Sequence, residues 1–194
     1  FVAGAVVSGC AMVMAIAIPR RKVYNLEDFI TIRHLDYMSR VMLAMGVIVA
    51  YGYLMEIFVA WYSGDPFEIY LITNRFNGVY RYLYIALIAF NVVIPQFLWS
   101  VRVRTSPLLL FVISLFINAG MWLERFIIVV TSLHRDYMPS AWHVYVPTFW
   151  DISTFLGTFG LFFVLLFLFI RFLPVISIFE MRELVHEQEE DEAL

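Results

Sequence analysis

Two groups of ionisable residues stand close together near the end of a long apolar segment. The first group, Glu124 and Arg125, interrupts the segment. The second group follows directly at its end and consists of His134, Arg135 and Asp136. An ionisable side chain inside a bilayer is costly, so such residues indicate function. Histidine is a common proton acceptor near neutral pH, and a carboxylate such as that of Asp136 can accept or relay a proton. His134 and Asp136 are therefore candidate catalytic groups.

The residues around this catalytic pair are predicted to bind the substrate. Arg135 can act as a fixed hydrogen-bond donor to a carbonyl oxygen. Tyr137, Trp142 and His143 could wall a site at the membrane surface as interfacial side chains. In the alternative interpretation, the same loop docks an external protein through its charges and does no chemistry.

Polar residues at several depths of the apolar segments are predicted to form a proton path. Four polar residues, spaced four, seven and seven residues apart, lie on one stripe of a helix: Ser114, Asn118, Arg125 and Ser132. A polar stripe inside a bilayer is expected to face protein or water rather than lipid. The predicted path comprises His34, Asp36, Glu56, Asn91, Ser114, Asn118, Glu124 and Arg125.

Glu56 is the expected ion-pair partner of Arg125. Adjacent residues on a helix do not face each other, so Glu124 and Arg125 are expected to need other partners. At about 1.5 Å per residue, Arg125 and Glu56 lie within about one turn of the same depth. In one alternative, the Glu56–Arg125 pair is a purely structural salt bridge; in another, the Glu56 side chain extends to the membrane surface.

His34 and Asp36 also have an alternative to the proton path. They could be a solvated pair at the opposite membrane surface.

Pro95 is expected to kink the helix that carries Asn91. A proline cannot donate a hydrogen bond to the carbonyl four residues earlier, which is that of Asn91. The freed carbonyl and the polar side chains of Asn91 and Gln96 could serve the proton path, or the kink could only shape the bundle.

The elements that must position these residues are membrane helices. The chain of 194 residues is 62% hydrophobic and 15% charged, which is typical of membrane proteins. Its apolar segments are close to the ~20 residues that span a bilayer, where helices satisfy every backbone polar group. We predict an all-α, polytopic transmembrane helix bundle over residues 1–173, with five helices at about 1–18, 37–62, 81–101, 107–133 and 149–172.

The distribution of Lys and Arg predicts the orientation of the bundle. The first loop and the short loop 102–106 are rich in Arg, so both are expected in the cytoplasm. The segments 63–79 and 134–147 then face outward, and the acidic tail 174–194 is cytoplasmic. Asn25 and Asp28 in the first loop resemble a helix cap and predict a short interfacial helix there.

The sequence also limits the possible cofactors. Cys10 is the only cysteine, which excludes an internal disulfide and a Cys-ligated iron–sulfur cluster. The four His residues lie near or outside the predicted helix ends, so none can ligate a haem inside the bundle. We predict no metal, haem or iron–sulfur cluster bound by this chain, and no nucleic-acid partner. Phe1 in place of Met predicts that the sequence begins within a longer chain.

Three segments together resemble one family of integral membrane subunits. They are Phe-Val-Ala-Gly-Ala at 1–5, Asn-Val-Val-Ile-Pro-Gln at 91–96, and the segment from Glu124-Arg125 through His-Arg-Asp-Tyr to Trp142. They resemble the NrfD/polysulfide-reductase membrane subunits, and within that family the larger quinol-binding membrane subunit of bacterial alternative complex III. The resemblance covers most of the chain, and the segment 124–142 is its most specific part.

The resemblance implies one subunit of a quinol-oxidising oxidoreductase in the bacterial inner (cytoplasmic) membrane. It implies a ten-helix subunit, of which this chain corresponds to the last five helices, that binds quinol (menaquinone or similar) near the outer face. The implied partners are membrane lipid, an extrinsic iron–sulfur subunit, multihaem or monohaem cytochrome c subunits and a second NrfD-like membrane subunit, with a terminal oxidase left open. A proton path from the cytoplasmic side has been proposed for the family. The first helical bundle, which supplies much of the quinol pocket in this family, is not part of this sequence.

Two other functions fit the same residues. The chain could be half of a proton- or ion-conducting transporter in which the polar stripe conducts without redox chemistry. It could also be a non-catalytic membrane anchor that docks an extrinsic redox enzyme.

Overall fold

The structure is a computed structural model that describes residues 1–24, 27, 29–134, 138, 140 and 142–173. The described part is helical and contains no strand, which confirms the predicted all-α fold. Five helical segments are long and apolar enough to cross a membrane, as predicted. The helices are α1 (Val2–Val23), α2 (Ile32–Ser63), α3 (Pro66–Asn77), α4 (Arg81–Ile88), α5 (Ile94–Gln96), α6 (Val101–Arg104), α7 (Pro107–Leu133) and α8 (Phe149–Phe172).

The first two helices are longer than the hydropathy pattern predicts. α1 continues through Pro19 to Val23, so the proline does not end it. α2 begins at Ile32 instead of residue 37, because Thr31 and His34 cap its first turn. The Nδ1 atom of His34 lies 2.9 Å from the hydroxyl of Thr31 and 3.3 Å from its backbone nitrogen. The predicted cap at residues 25 and 28 lies outside the described residues.

The third membrane span changes its hydrogen-bonding pattern before Pro95. A π-helical turn, Ala89–Val93, joins α4 to α5, and the N–H of Ile94 bonds to the carbonyl of Ala89 five residues back. Beyond the proline, the side-chain amide of Gln96 donates to the carbonyl of Val92 at 3.1 Å. The span therefore departs from a regular α-helix where a kink is predicted, and a side-chain amide satisfies one of its carbonyls.

The helices from Phe1 to Val144 form one compact unit in which α1 packs against both α2 and α7. Its buried core comprises Val7, Ala11, Met14, Leu35, Met42, Leu43, Leu98, Leu110, Ile113, Ile117 and Met121. Small residues let the helices approach closely: a Cβ on Gly46 would lie 3.3 Å from the Cβ of Pro95. Close packing of this kind is how membrane helices associate without a hydrophobic driving force between them.

A second unit begins at Tyr145 and contains α8. Its helix starts with a reciprocal cap, in which the backbone nitrogen and the hydroxyl of Thr148 each donate to Asp151 at 2.8 Å. Desolvation, together with a hydrogen bond to Asp151, raises the pKa of the Tyr145 hydroxyl above its usual value. The bounds of α7 and α8 agree with the predicted helices at 107–133 and 149–172.

Candidate functional site

A cavity of about 450 Å³ lies among α1, α2, α3, α4 and α7, and we call it the inner cavity. Much of its wall is apolar and includes Phe1, Ile48, Val49, Leu87, Ile127 and Ile128. Its polar side chains are Tyr51, Tyr53, Glu56, Arg75, Tyr84, Glu124 and Arg125. An apolar cavity with a few convergent polar groups is the usual form of a small-molecule site.

A hydrogen-bonded chain of three side chains extends from the inner cavity into the helix bundle. The hydroxyl of Tyr53, on α2, donates to the carboxylate of Glu124, on α7, at 2.5 Å. The amide nitrogen of Asn91, on the π-helical turn, donates to the same hydroxyl at 3.0 Å. The Glu124 side chain is 15% exposed and Asn91 is 3% exposed, so this chain is largely shielded from solvent.

Gly120 makes the close approach of α7 and the π-helical turn possible. A Cβ at this position would overlap the side-chain oxygen of Asn91 and lie 2.7 Å from the Cβ of Phe90. That oxygen of Asn91 is buried and has no hydrogen-bond partner among the described residues. A single π-helical turn inside a helix is frequently found at functional sites, and here it carries the residue that holds Tyr53.

Glu56 pairs with Arg75, and not with Arg125 as the sequence predicts. The guanidinium nitrogen of Arg75 lies 2.6 Å from a carboxylate oxygen of Glu56. The Arg75 side chain is 12% exposed, that of Glu56 is 43% exposed, and the Arg75 guanidinium stands 6.0 Å from the ring centroid of Tyr84. The prediction is wrong because it treats the segment after α2 as a turn, whereas α3 folds back against α2.

The sequence after α2 explains why α3 forms. Gly64 ends α2 in a left-handed conformation, with φ of 67°. Asp65 caps the next helix by accepting a hydrogen bond from the N–H of Phe67 at 2.9 Å, and Pro66 occupies its first position. The short α3 then places Arg75 beside Glu56.

Arg125 pairs with its neighbour Glu124, contrary to the expectation that the two need other partners. One guanidinium nitrogen lies 3.3 Å from the Glu124 carboxylate, and the guanidinium stands 4.9 Å from the ring centroid of Phe1. The arginine side chain is long enough to reach around the helix, although the two Cβ atoms point apart. The Arg125 side chain is 48% exposed, whereas that of Glu124 is 15% exposed.

The four residues of the predicted polar stripe on α7 differ in their burial. Ser114 is buried and Asn118 is partly buried, but Ser132 is exposed. The hydroxyls of Ser114 and Ser132 donate to carbonyls of their own helix, at Phe111 and Val129. Such local bonds satisfy a serine inside a helix without a neighbouring helix.

The predicted catalytic loop is only partly described. Arg135, Asp136 and Tyr137 lie outside the described residues. His134 is 8% exposed, its ring centroid lies 5.4 Å from that of Tyr80, and its Nδ1 atom has no hydrogen-bond partner in the described part of the chain. His134, Trp142 and His143 are not among the residues that line the inner cavity.

His34 and Asp36 are likewise not among the residues that line the inner cavity. His34 caps α2, whereas Asp36 pairs with Arg40 at 2.6 Å and with Arg104 at 2.9 Å. The contact with Arg104 is an ion pair that lacks hydrogen-bond geometry, and it joins α2 to α6. The structure thus gives each residue a structural contact near the start of α2, and their part in a proton path stays a prediction.

Sequence reasoning missed four polar side chains of the inner cavity: Tyr51, Tyr53, Arg75 and Tyr84. Tyr53 stands three residues before Glu56, on the same helix face, and this spacing could have identified it. Arg75 belongs to a loop in the hydropathy pattern, and tyrosines are common in membrane helices, so Arg75, Tyr51 and Tyr84 have no comparable signal.

The arrangement can take a proton from a hydroxyl group and hold the oxygen that remains. Glu124 is a carboxylate within hydrogen-bonding distance of a phenol, and Arg75 is a fixed cationic donor. Among the described residues, no group of His, Cys, Asp or Glu side chains could hold a metal ion. No protein-family model and no curated protein matches the chain.

Proposed function

We propose that this chain is one membrane subunit of a quinol-oxidising respiratory complex of the alternative complex III type, and that its inner cavity contributes to the site that receives the quinol ring. The observation that carries the proposal is the Tyr53–Glu124 hydrogen bond of 2.5 Å, whose two side chains line an otherwise largely apolar cavity. A quinol ring is apolar and carries two hydroxyl groups, so it needs such a wall and a nearby base.

Glu124 is the proton acceptor in this proposal. Quinol oxidation releases two protons and two electrons, and Glu124 accepts a proton from a ring hydroxyl directly or through Tyr53. Arg75, held by Glu56, donates a hydrogen bond to a ring oxygen. The role of proton acceptors at the membrane surface, which the sequence predicts for His134 and Asp136, is part of the same proposal.

The electrons leave through an extrinsic iron–sulfur subunit and reach cytochrome c subunits. The chain itself holds no redox centre in this proposal, so it is one part of a larger assembly. That assembly stands in the bacterial cytoplasmic membrane, together with a second NrfD-like subunit. The five apolar helices fit a multi-pass membrane protein of this kind.

A second candidate function is proton conduction without redox chemistry. It is favoured by the chain Glu124–Tyr53–Asn91, which extends from the inner cavity to the π-helical turn inside the third membrane span. The two functions differ in what they need: a quinol oxidase reduces partner redox centres, whereas a conductor moves protons in the absence of quinol.

Replacing Tyr53 with Phe should slow quinol oxidation by the assembled complex about tenfold. The change keeps the ring and removes the hydroxyl that bonds to Glu124. A hydrogen bond to a charged group contributes about 1.5 kcal/mol or more, which corresponds to this factor. The measurement is the rate at which quinol reduces the complex's haems and clusters, with total redox-centre content measured separately.

Tyr82→Phe is the matched control, since Tyr82 is exposed on α4 and does not line the inner cavity. A Tyr53→Phe complex that turns over like Tyr82→Phe would contradict the proposed role of the hydroxyl. If the purified chain lacks redox partners and conducts protons in vesicles without quinol, the second candidate function is correct instead.

A further inference from the structure

A second cavity, of about 550 Å³, lies between α2 and α3, and we call it the α2–α3 cavity. Its wall is apolar at Met55, Val59, Ala60, Leu71 and Ile72, and its charged lining residues are Glu56, Glu68 and Arg75. Val59 is 53% exposed and Leu71 is 44% exposed, so the rim of this cavity is open to the surroundings of the protein. Val59 lies on α2, which is long and apolar enough to cross a membrane, so the α2 side of this rim is expected to face lipid.

The two cavities meet at three shared lining residues: Gly52, Glu56 and Arg75. Gly52 has no side chain, and a Cβ built on it would meet nothing within 4 Å. Glu56 and Arg75 form the 2.6 Å ion pair through two flexible side chains. The shared boundary is therefore open at Gly52 and bordered by the Glu56–Arg75 ion pair.

We propose that the α2–α3 cavity binds the hydrophobic tail of a quinol whose ring occupies the inner cavity, with the tail passing Gly52 beside the Glu56–Arg75 pair. This inference rests on the proposed function, since it takes the ligand to be a quinol. An isoprenoid tail is a flexible hydrocarbon, and the apolar part of the wall, with a rim expected to face lipid on its α2 side, suits such a group. Arg75 then faces the junction between the polar ring and the apolar tail.

The absence of a side chain at Gly52 is central to this geometry. A larger residue at this position would project into the free space at the boundary without meeting a neighbouring atom within 4 Å. Gly52→Leu should therefore leave the packing of α2 intact and obstruct the tail. Leu71→Trp fills the α2–α3 cavity from α3, at a residue that lines only that cavity.

The test compares two quinols that have the same ring, one without a tail and one with an isoprenoid tail, as substrates of the assembled complex. In both variants, we expect KM for the tailed quinol to rise about tenfold relative to KM for the tailless one. This factor corresponds to the lost burial of about two CH₂ groups. Gly9→Leu is the matched control, because Gly9 also has nothing within 4 Å of a built Cβ and lines neither cavity.

The possible results separate this inference from the proposed function. If the unaltered complex oxidises both quinols and Leu71→Trp changes their KM values equally or not at all, the tail does not occupy the α2–α3 cavity. Should Gly52→Leu fail to assemble, Leu71→Trp decides the matter alone. If the unaltered complex oxidises neither quinol, the proposed function is wrong, and the inference falls with it.

Discussion

Replacing Glu124 with Gln should slow quinol oxidation by the assembled complex about a hundredfold or more. Glutamine has the shape of glutamate and can still accept the hydrogen bond from Tyr53, but it cannot take up a proton. General base catalysis typically contributes a factor of about 10² to 10⁴, and this contribution would be lost. The measurement is the rate of quinol-dependent reduction of the partner redox centres at saturating quinol.

Two further variants separate a loss of chemistry from a loss of structure. Glu124→Asp keeps a carboxylate at a shorter reach and should recover part of the rate. Glu27→Gln removes an exposed carboxylate that does not line the inner cavity, and it should turn over at the parental rate. Normal turnover of Glu124→Gln in a complex with full redox-centre content would remove Glu124 from the mechanism.

Replacing Gly120 with Ala should destabilise the protein by about 1–3 kcal/mol, which is the usual cost of added volume in a well-packed core. The new Cβ would overlap the side-chain oxygen of Asn91 and crowd the Cβ of Phe90. α7 and the π-helical turn must then move apart, and Asn91 would lose its hydrogen bond to Tyr53. The measurements are the midpoint of thermal unfolding of the complex and its quinol oxidation rate, both of which should fall.

Gly9→Ala is the control for the loss of a helical glycine. A Cβ on Gly9 meets nothing within 4 Å, and alanine favours the helix over glycine by about 0.5–1 kcal/mol. This variant should therefore be as stable as the parent or slightly more stable. If Gly120→Ala behaves like Gly9→Ala, the close approach of α7 to the π-helical turn does not hold Asn91 in place.

Hydropathy predicts the membrane helices well where a proline or a change in polarity marks both ends. The limits of α7 and α8 agree with the structure for this reason. The beginning of α2 lies in a polar segment, where the Thr31–His34 cap determines the first residue of the helix. Hydropathy does not detect such a cap. The short helix α3 has too few apolar residues in succession for hydropathy to predict it, although Asp65 and Pro66 are typical of a helix start.

The candidate site is predictable only in part, because a sequence shows polar residues but not their partners. Glu56, Asn91 and Glu124 stand out as polar groups at membrane depth, and all three take part in the observed contacts. The pairing of Glu56 with Arg75 depends on how α3 folds back, which a hydropathy pattern does not contain. The link from Asn91 to Glu124 passes through Tyr53, an aromatic residue that the same pattern treats as part of the apolar helix.

Photoaffinity labelling of the assembled complex with an azidoquinone is the most direct test of where the quinol ring binds. We expect labelled peptides from α2, around Ile48 to Glu56, and from α7, around Glu124 to Ile128, since these segments line the inner cavity. An excess of unlabelled quinone should abolish the labelling. Label found only in the loop 134–143 or only in partner subunits would show that the quinol ring binds outside the inner cavity.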